Sequence, residues 1–187
     1  MSYKFFNSLL VGLLVALLVV TPALAAAPAA PATSMAAAAG PLKGWVTVEP
    51  GATQWYKFKY TYAGGDNNDD PFPAEVIMHL AAPSKVGFEI WTPGRLNAPL
   101  PDPNKSLSEQ PHAYRAPVGQ GTPEYVGTES HWQGTPSYKH TREVFDQTNL
   151  VWQGSAKASD TYYIVVKNKG TEPVSYELTV SGPTVSY

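Results

Sequence analysis

Trp55-Tyr56-Lys57-Phe58-Lys59-Tyr60-Thr61-Tyr62 decides the fold, because its character changes at every residue. Tyr56, Phe58, Tyr60 and Tyr62 fall on one side of an extended chain, and Trp55, Lys57, Lys59 and Thr61 fall on the other. A period of two marks a strand with one buried face. The pattern recurs downstream. Val76, Met78 and Leu80 precede the breaker Ala82-Pro83-Ser84, and Val86, Phe88 and Ile90 follow it, so the spacing predicts a hairpin of two adjacent strands. Tyr162, Ile164 and Val166 alternate with Tyr163, Val165 and Lys167; Asn168 to Pro173 turns the chain; Tyr176, Leu178 and Val180 alternate again. That reads as a second hairpin. Trp45-Val46-Thr47-Val48 and Leu150-Val151-Trp152 supply further strands, giving at least seven, with no helical period. The expectation is an all-β fold: a jelly-roll-like antiparallel β-sandwich over residues 42-182, with a tail at 183-187.

Upstream of the strands the chain changes twice. Lys4 precedes an apolar run, Phe5 to Val20, and Ala23-Leu24-Ala25 closes it. A basic start, an apolar stretch and small residues at a cleavage site make residues 1-25 a secretory signal peptide. A retained anchor is the alternative, since the run approaches the length of a spanning helix. Thr21-Pro22 and the lack of a basic stop-transfer cluster favour cleavage, which leaves no stable membrane span and predicts a secreted or cell-surface protein. Residues 26-41 are nearly all alanine and proline and are expected to form a linker.

Composition narrows the function classes. Without residues 1-25, 12 basic residues stand against 15 acidic ones, a net charge of −3 with no like-charge block, which argues against nucleic acid as a partner. No basic amphipathic helix is present to lie on a membrane. The chain has no cysteine, so disulfides, thiol catalysis and an N-terminal lipidated cysteine are all excluded. A domain of the 162 remaining residues is held by its core, which suffices at about this size.

Catalysis finds little support. His79, His112, His131 and His140 include no helical metal pair, and no nucleophile elbow occurs. His79 lies on a strand with its side chain opposite to Val76, Met78 and Leu80, on the solvent face. Ser130-His131 with Glu143 or Asp146 is a triad on paper alone, so a small hydrolase is a lesser alternative. Val118-Gly119-Gln120-Gly121-Thr122-Pro123 lacks the lysine and the helix of a phosphate loop. The proline-dense stretch Thr92 to Pro117 is expected to be a long surface loop.

Two features carry binding chemistry. Asp66-Asn67-Asn68-Asp69-Asp70 crowds oxygen ligands into one loop, and Asp66, Asn68 and Asp70 are a candidate calcium site. Pro71 stands where an EF-hand needs glycine, and Ile77 stands where it needs the closing glutamate; an ordinary turn is the competing reading. The chain also has five Trp and eleven Tyr, most of which the core needs. Trp55 and Trp91 are the exceptions, since parity puts them opposite the faces of Tyr56-Phe58 and Phe88-Ile90, and they are the candidate ligand-binding residues.

Gln54-Trp55-Tyr56-Lys57-Phe58, Val86-Gly87-Phe88-Glu89-Ile90-Trp91-Thr92-Pro93, Val118-Gly119-Gln120-Gly121-Thr122, Leu150-Val151-Trp152-Gln153-Gly154, Thr161-Tyr162-Tyr163-Ile164-Val165-Val166-Lys167-Asn168 and Tyr176-Glu177-Leu178-Thr179-Val180-Ser181-Gly182 follow one another in order. The set resembles bacterial pre-peptidase C-terminal domains, over about residues 42 to 182. The resemblance implies a β-sandwich module of secreted proteins, associated with secretion, with attachment to polysaccharide or matrix protein, and sometimes with calcium. Such modules usually follow an enzyme, whereas this one is expected to be free-standing behind its signal peptide. The sequence thus points to an exported, non-catalytic binding or cell-surface module for polysaccharide or an extracellular protein. A structural or assembly protein with a dedicated protein partner is the alternative.

Overall fold

A computed structural model describes residues 30–61, 74–110, 114–132, 139–154 and 159–187. Within these residues the chain forms two five-stranded antiparallel sheets packed face to face. The front sheet has the order β10-β2-β8-β4-β5, made of Val185–Ser186, Thr53–Tyr60, Asp160–Asn168, Val86–Trp91 and Gly119–Gln120. The back sheet has the order β1-β9-β3-β7-β6, made of Val46–Val48, Val174–Ser181, Ala74–Leu80, Lys139–Gly154 and Thr122–Trp132. The all-β sandwich expected from the alternation is the fold observed.

The core lies between the sheets and is built from the residues that the period of two selected. Tyr56, Phe58, Phe88, Ile90, Ile164 and Val166 from the front meet Val76, Met78, Leu150, Tyr176 and Leu178 from the back, all buried. Trp152 continues the inward row of Leu150 and packs on the core's margin. Its indole fills the space beside two glycines. A Cβ at Gly119 would sit 1.9 Å from the Trp152 Nε1, and one at Gly154 would sit 2.1 Å from its Cζ2. Where the chain crosses from β5 to β6, a Cβ at Gly121 would lie 2.3 Å from the Phe88 ring.

One polar chain threads this apolar interior. The Tyr56 and Tyr176 hydroxyls are 2.6 Å apart, Tyr176 donates to the Gln54 Oε1, and the Gln54 Nε2 donates to the Thr47 carbonyl at 2.8 Å. The chain runs from the front sheet to the back and satisfies groups whose burial without partners is costly. Burial holds the Tyr176 and Tyr56 hydroxyls above the ordinary 10.0, because their ionised forms lose hydration; the bond to Tyr176 partly offsets this for Tyr56.

Three expectations are corrected. The predicted hairpins are arches between sheets: β3 belongs to the back sheet and β4 to the front, and β8 belongs to the front and β9 to the back. Alternation specifies which face turns inward, but both sheets turn an apolar face inward, so a short turn is compatible with either arrangement. Asn168 supports the second arch. Its Nδ2 donates to the Val48 and Glu172 carbonyls at 3.1 and 2.8 Å, and its Oδ1 accepts from the Gly170 amide at 2.8 Å.

From Ala30 onward, the second correction, the alanine-proline stretch does not stand off as a linker. It docks on the free edge of β2, where the Ala32 and Ala39 carbonyls each accept a backbone amide, from Trp55 and Lys57, at 2.8 Å. Ala38 is buried. Small side chains let the segment approach, and the strand edge supplies unpaired donors. In the third correction, the 183-187 tail continues this edge as β10, and Tyr187 packs on Gly40 and donates to the Val180 carbonyl.

The stretch after β4 is a surface excursion with local order. It opens with a short helix, α1, Pro93–Leu96, and includes a 3₁₀ turn, Leu107–Glu109. Gln110 ties it together by accepting from the Asp102 amide at 2.9 Å and donating to the Asp102 and Lys105 carbonyls.

Candidate functional site on the front face

The outward positions of β2, β8 and β4 lie in three cross-strand rows. Thr53, Lys167 and Gly87 make one; Trp55, Val165, Glu89 and, on β5, Gln120 make the next; Lys57, Tyr163 and Trp91 make the third. The register therefore brings Trp55, on β2, and Trp91, the last residue of β4, onto one surface with Tyr163 between them. Trp55 and Tyr163 meet edge to face, their ring centroids 6.3 Å apart. Trp55, Tyr163 and Trp91 are half-buried, and outward-pointing Val165 is 2% exposed, so part of the aromatic area covers the sheet itself and part remains accessible.

Glu89 organises the centre. Its Oε2 accepts from the Trp91 Nε1 at 3.0 Å and from the Lys167 Nζ at 2.8 Å. One carboxylate thus fixes the edge of the Trp91 indole and anchors a lysine on the adjacent strand. Beside Lys167 the surface falls away into a depression of about 380 Å³, bordered by Lys85, Gly87, Glu89, Gln120, Lys167 and Lys169. Gly87 forms the gap in its row, with no atom within 4 Å of where a Cβ would stand. Lys57 and Lys59 add two exposed ammonium groups to the same face.

Sequence parity found Trp55 and Trp91 but missed Tyr163, Lys167 and Glu89 as their companions. The facing of Tyr163 and Lys167 is visible in the alternation; that β8 lies between β2 and β4 is not.

The other candidates separate. Asp66, Asn68 and Asp70 lie outside the described residues, as do His112 and the signal peptide. Among the described residues, no three of His, Cys, Asp and Glu cluster as metal ligands, and no helix is long and apolar enough to cross a membrane. His79 is exposed on β3. His131 and His140 are register partners on β6 and β7, while Glu143 is the register partner of Thr128 and Asp146 of Glu124. The Asp146 carboxylate accepts from the Thr148 hydroxyl and amide at 2.7 and 2.8 Å, which holds it below the usual carboxylate range. No family model matches the chain, and no curated protein or solved structure is found similar to it.

Proposed function

We propose that the chain is an exported, non-catalytic module that binds polysaccharide on its front face. The observation that carries this reading is the convergence of Trp55, Tyr163 and Trp91 on three adjacent strands of one outward surface. Flat aromatic rings offer sugars an apolar stacking surface at little entropic cost, and the strands beneath keep that surface rigid. Polar groups at its border, Glu89 and Gln120, are placed to bond hydroxyls. Polysaccharide attachment is also among the roles that the resemblance to pre-peptidase C-terminal domains implies.

Sedimentation of the protein with insoluble neutral and acidic polysaccharides tests the reading. Trp91→Ala and Tyr163→Ala are expected to weaken retention about tenfold each, within the range of single well-packed aromatic contacts. Retention unchanged in both variants, or absent in the parent, would count against it.

The assembly reading has an observation of its own. Before Asn149, from Lys139 to Asp146, β7 pairs with β6 but not with β3, so the two strands leave the sandwich as a two-stranded arm. On it Tyr125, Val126 and Phe145 are 54%, 57% and 42% exposed. If the arm joins copies of the chain, Tyr125→Ser with Phe145→Ser shifts a sedimentation-velocity profile toward monomer; a parent chain that is already monomeric rejects this second reading.

A further inference from the structure

We infer that the polysaccharide taken by the front face is acidic, with a carboxylate seated in the depression at Gly87 among Lys85, Lys167 and Lys169. The inference rests on the polysaccharide reading and names its chemical class.

Three observations converge on it. Three lysines border the depression against the one carboxylate of Glu89, which Lys167 already engages at 2.8 Å. Lys85 and Lys169 are exposed and on adjoining turns, joined by the Lys169 amide donating to the Lys85 carbonyl at 3.1 Å. An anion entering between them meets a net positive site.

Gly87 is not required by the backbone. Its φ is outside the left-handed region and a Cβ there meets nothing. Glycine inside a strand costs about 0.5–1 kcal/mol relative to alanine. Its absent side chain is what opens the depression beside Lys167.

The central strands of the two outward faces also differ in charge balance. Lys57, Lys59 and Lys167 point out from the front sheet, whereas Glu75 and Glu177 point out from the back and Glu124 stands beside Asn149 on that side. A slightly acidic chain thereby presents an anionic polymer with one attractive face, which steers encounter and orientation. Tyr163 and Lys167 are four residues apart on β8, about 13 Å along the strand. One short oligosaccharide spans stacking platform and depression.

The test uses the full chain and soluble polygalacturonate oligomers, with their methyl esters as the neutral counterpart, followed by titration calorimetry. The parent is expected to bind the acid at least about tenfold tighter than the ester, and more weakly as salt rises. Lys85→Gln/Lys167→Gln/Lys169→Gln and, separately, Gly87→Leu are expected to abolish that preference with the melting temperature kept. Equal affinity for acid and ester, or unchanged preference in both variants, overturns the inference and leaves the polysaccharide reading standing. Binding of neither form by the parent also overturns it, while retention on neutral polymers decides the broader reading separately.

Discussion

The two outward faces of this sandwich are built on the same strand geometry and differ in what they present. The front carries Trp55, Tyr163 and Trp91 beside lysines; the central strands of the back carry Glu75, Ile77, His79, Thr179 and Glu177. Because each strand contributes alternate residues to the core and to solvent, the interior constrains one half of the sequence and leaves the other half free. A net charge of −2 conceals this difference, since Lys57, Lys59 and Lys167 outnumber Glu89 on the front while Glu75 and Glu177 stand on the central strands of the back. Composition therefore describes neither surface.

The comparison is broken most severely by damaging what both faces share. Trp152→Ala empties the space bounded by Gly119 and Gly154 and should cost about 3 kcal/mol, at the low end for a tryptophan because the site is marginal. Thermal unfolding should fall by about 6 °C or more, and front-face binding should fall with it. Gly119→Ala introduces a methyl group into the Trp152 ring and should cost about 1–3 kcal/mol by the same assay. Tyr176→Phe removes the hydroxyl that Tyr56 and Gln54 share and should cost about 1–3 kcal/mol in urea unfolding.

Alkali should reveal the same hydroxyls. Tyr176, Tyr56 and Tyr162 hold their protons more tightly folded than unfolded, chiefly through burial. The unfolded chain releases these protons first, so the tyrosines' contribution to stability should be constant below about pH 10 and decline above it. Tyr176→Phe should flatten that decline; an unchanged slope would show that other groups govern it.

The smallest effect sharpens the comparison. Glu89→Gln breaks a partly exposed ion pair, and its effect on stability should stay under about 1 kcal/mol. It also releases Lys167 and adds net positive charge, so acidic-ligand affinity should rise or hold while the melting curve barely moves. Glu75→Gln on the back should change neither.

Much of this architecture is legible in the sequence. Tyr56, Phe58, Met78, Ile90, Ile164 and Leu178 declare their burial by parity alone, and Trp55 and Trp91 declare the opposite. Strand neighbours are not legible, because an apolar inward face is common to both sheets. The turns after Leu80 and after Asn168 therefore read as hairpins when they are arches. The docking of Ala32 and Ala39 was hidden for a different reason: small residues make backbone contacts with no side-chain pattern to announce them. The depression at Gly87 is written as a missing side chain and becomes visible when β4 is laid beside β8.

Apolar packing brings the sheets together without saying where along each other they stop. A slide of two residues, about 7 Å, would again set greasy side chains against greasy side chains. It would also part Tyr56 from Tyr176 and strand both oxygens in oil. The hydroxyl pair thus works as an index pin: the core supplies the grip, and one polar contact supplies the coordinate from which every surface position, including the spacing of ring and ammonium on the front, is measured.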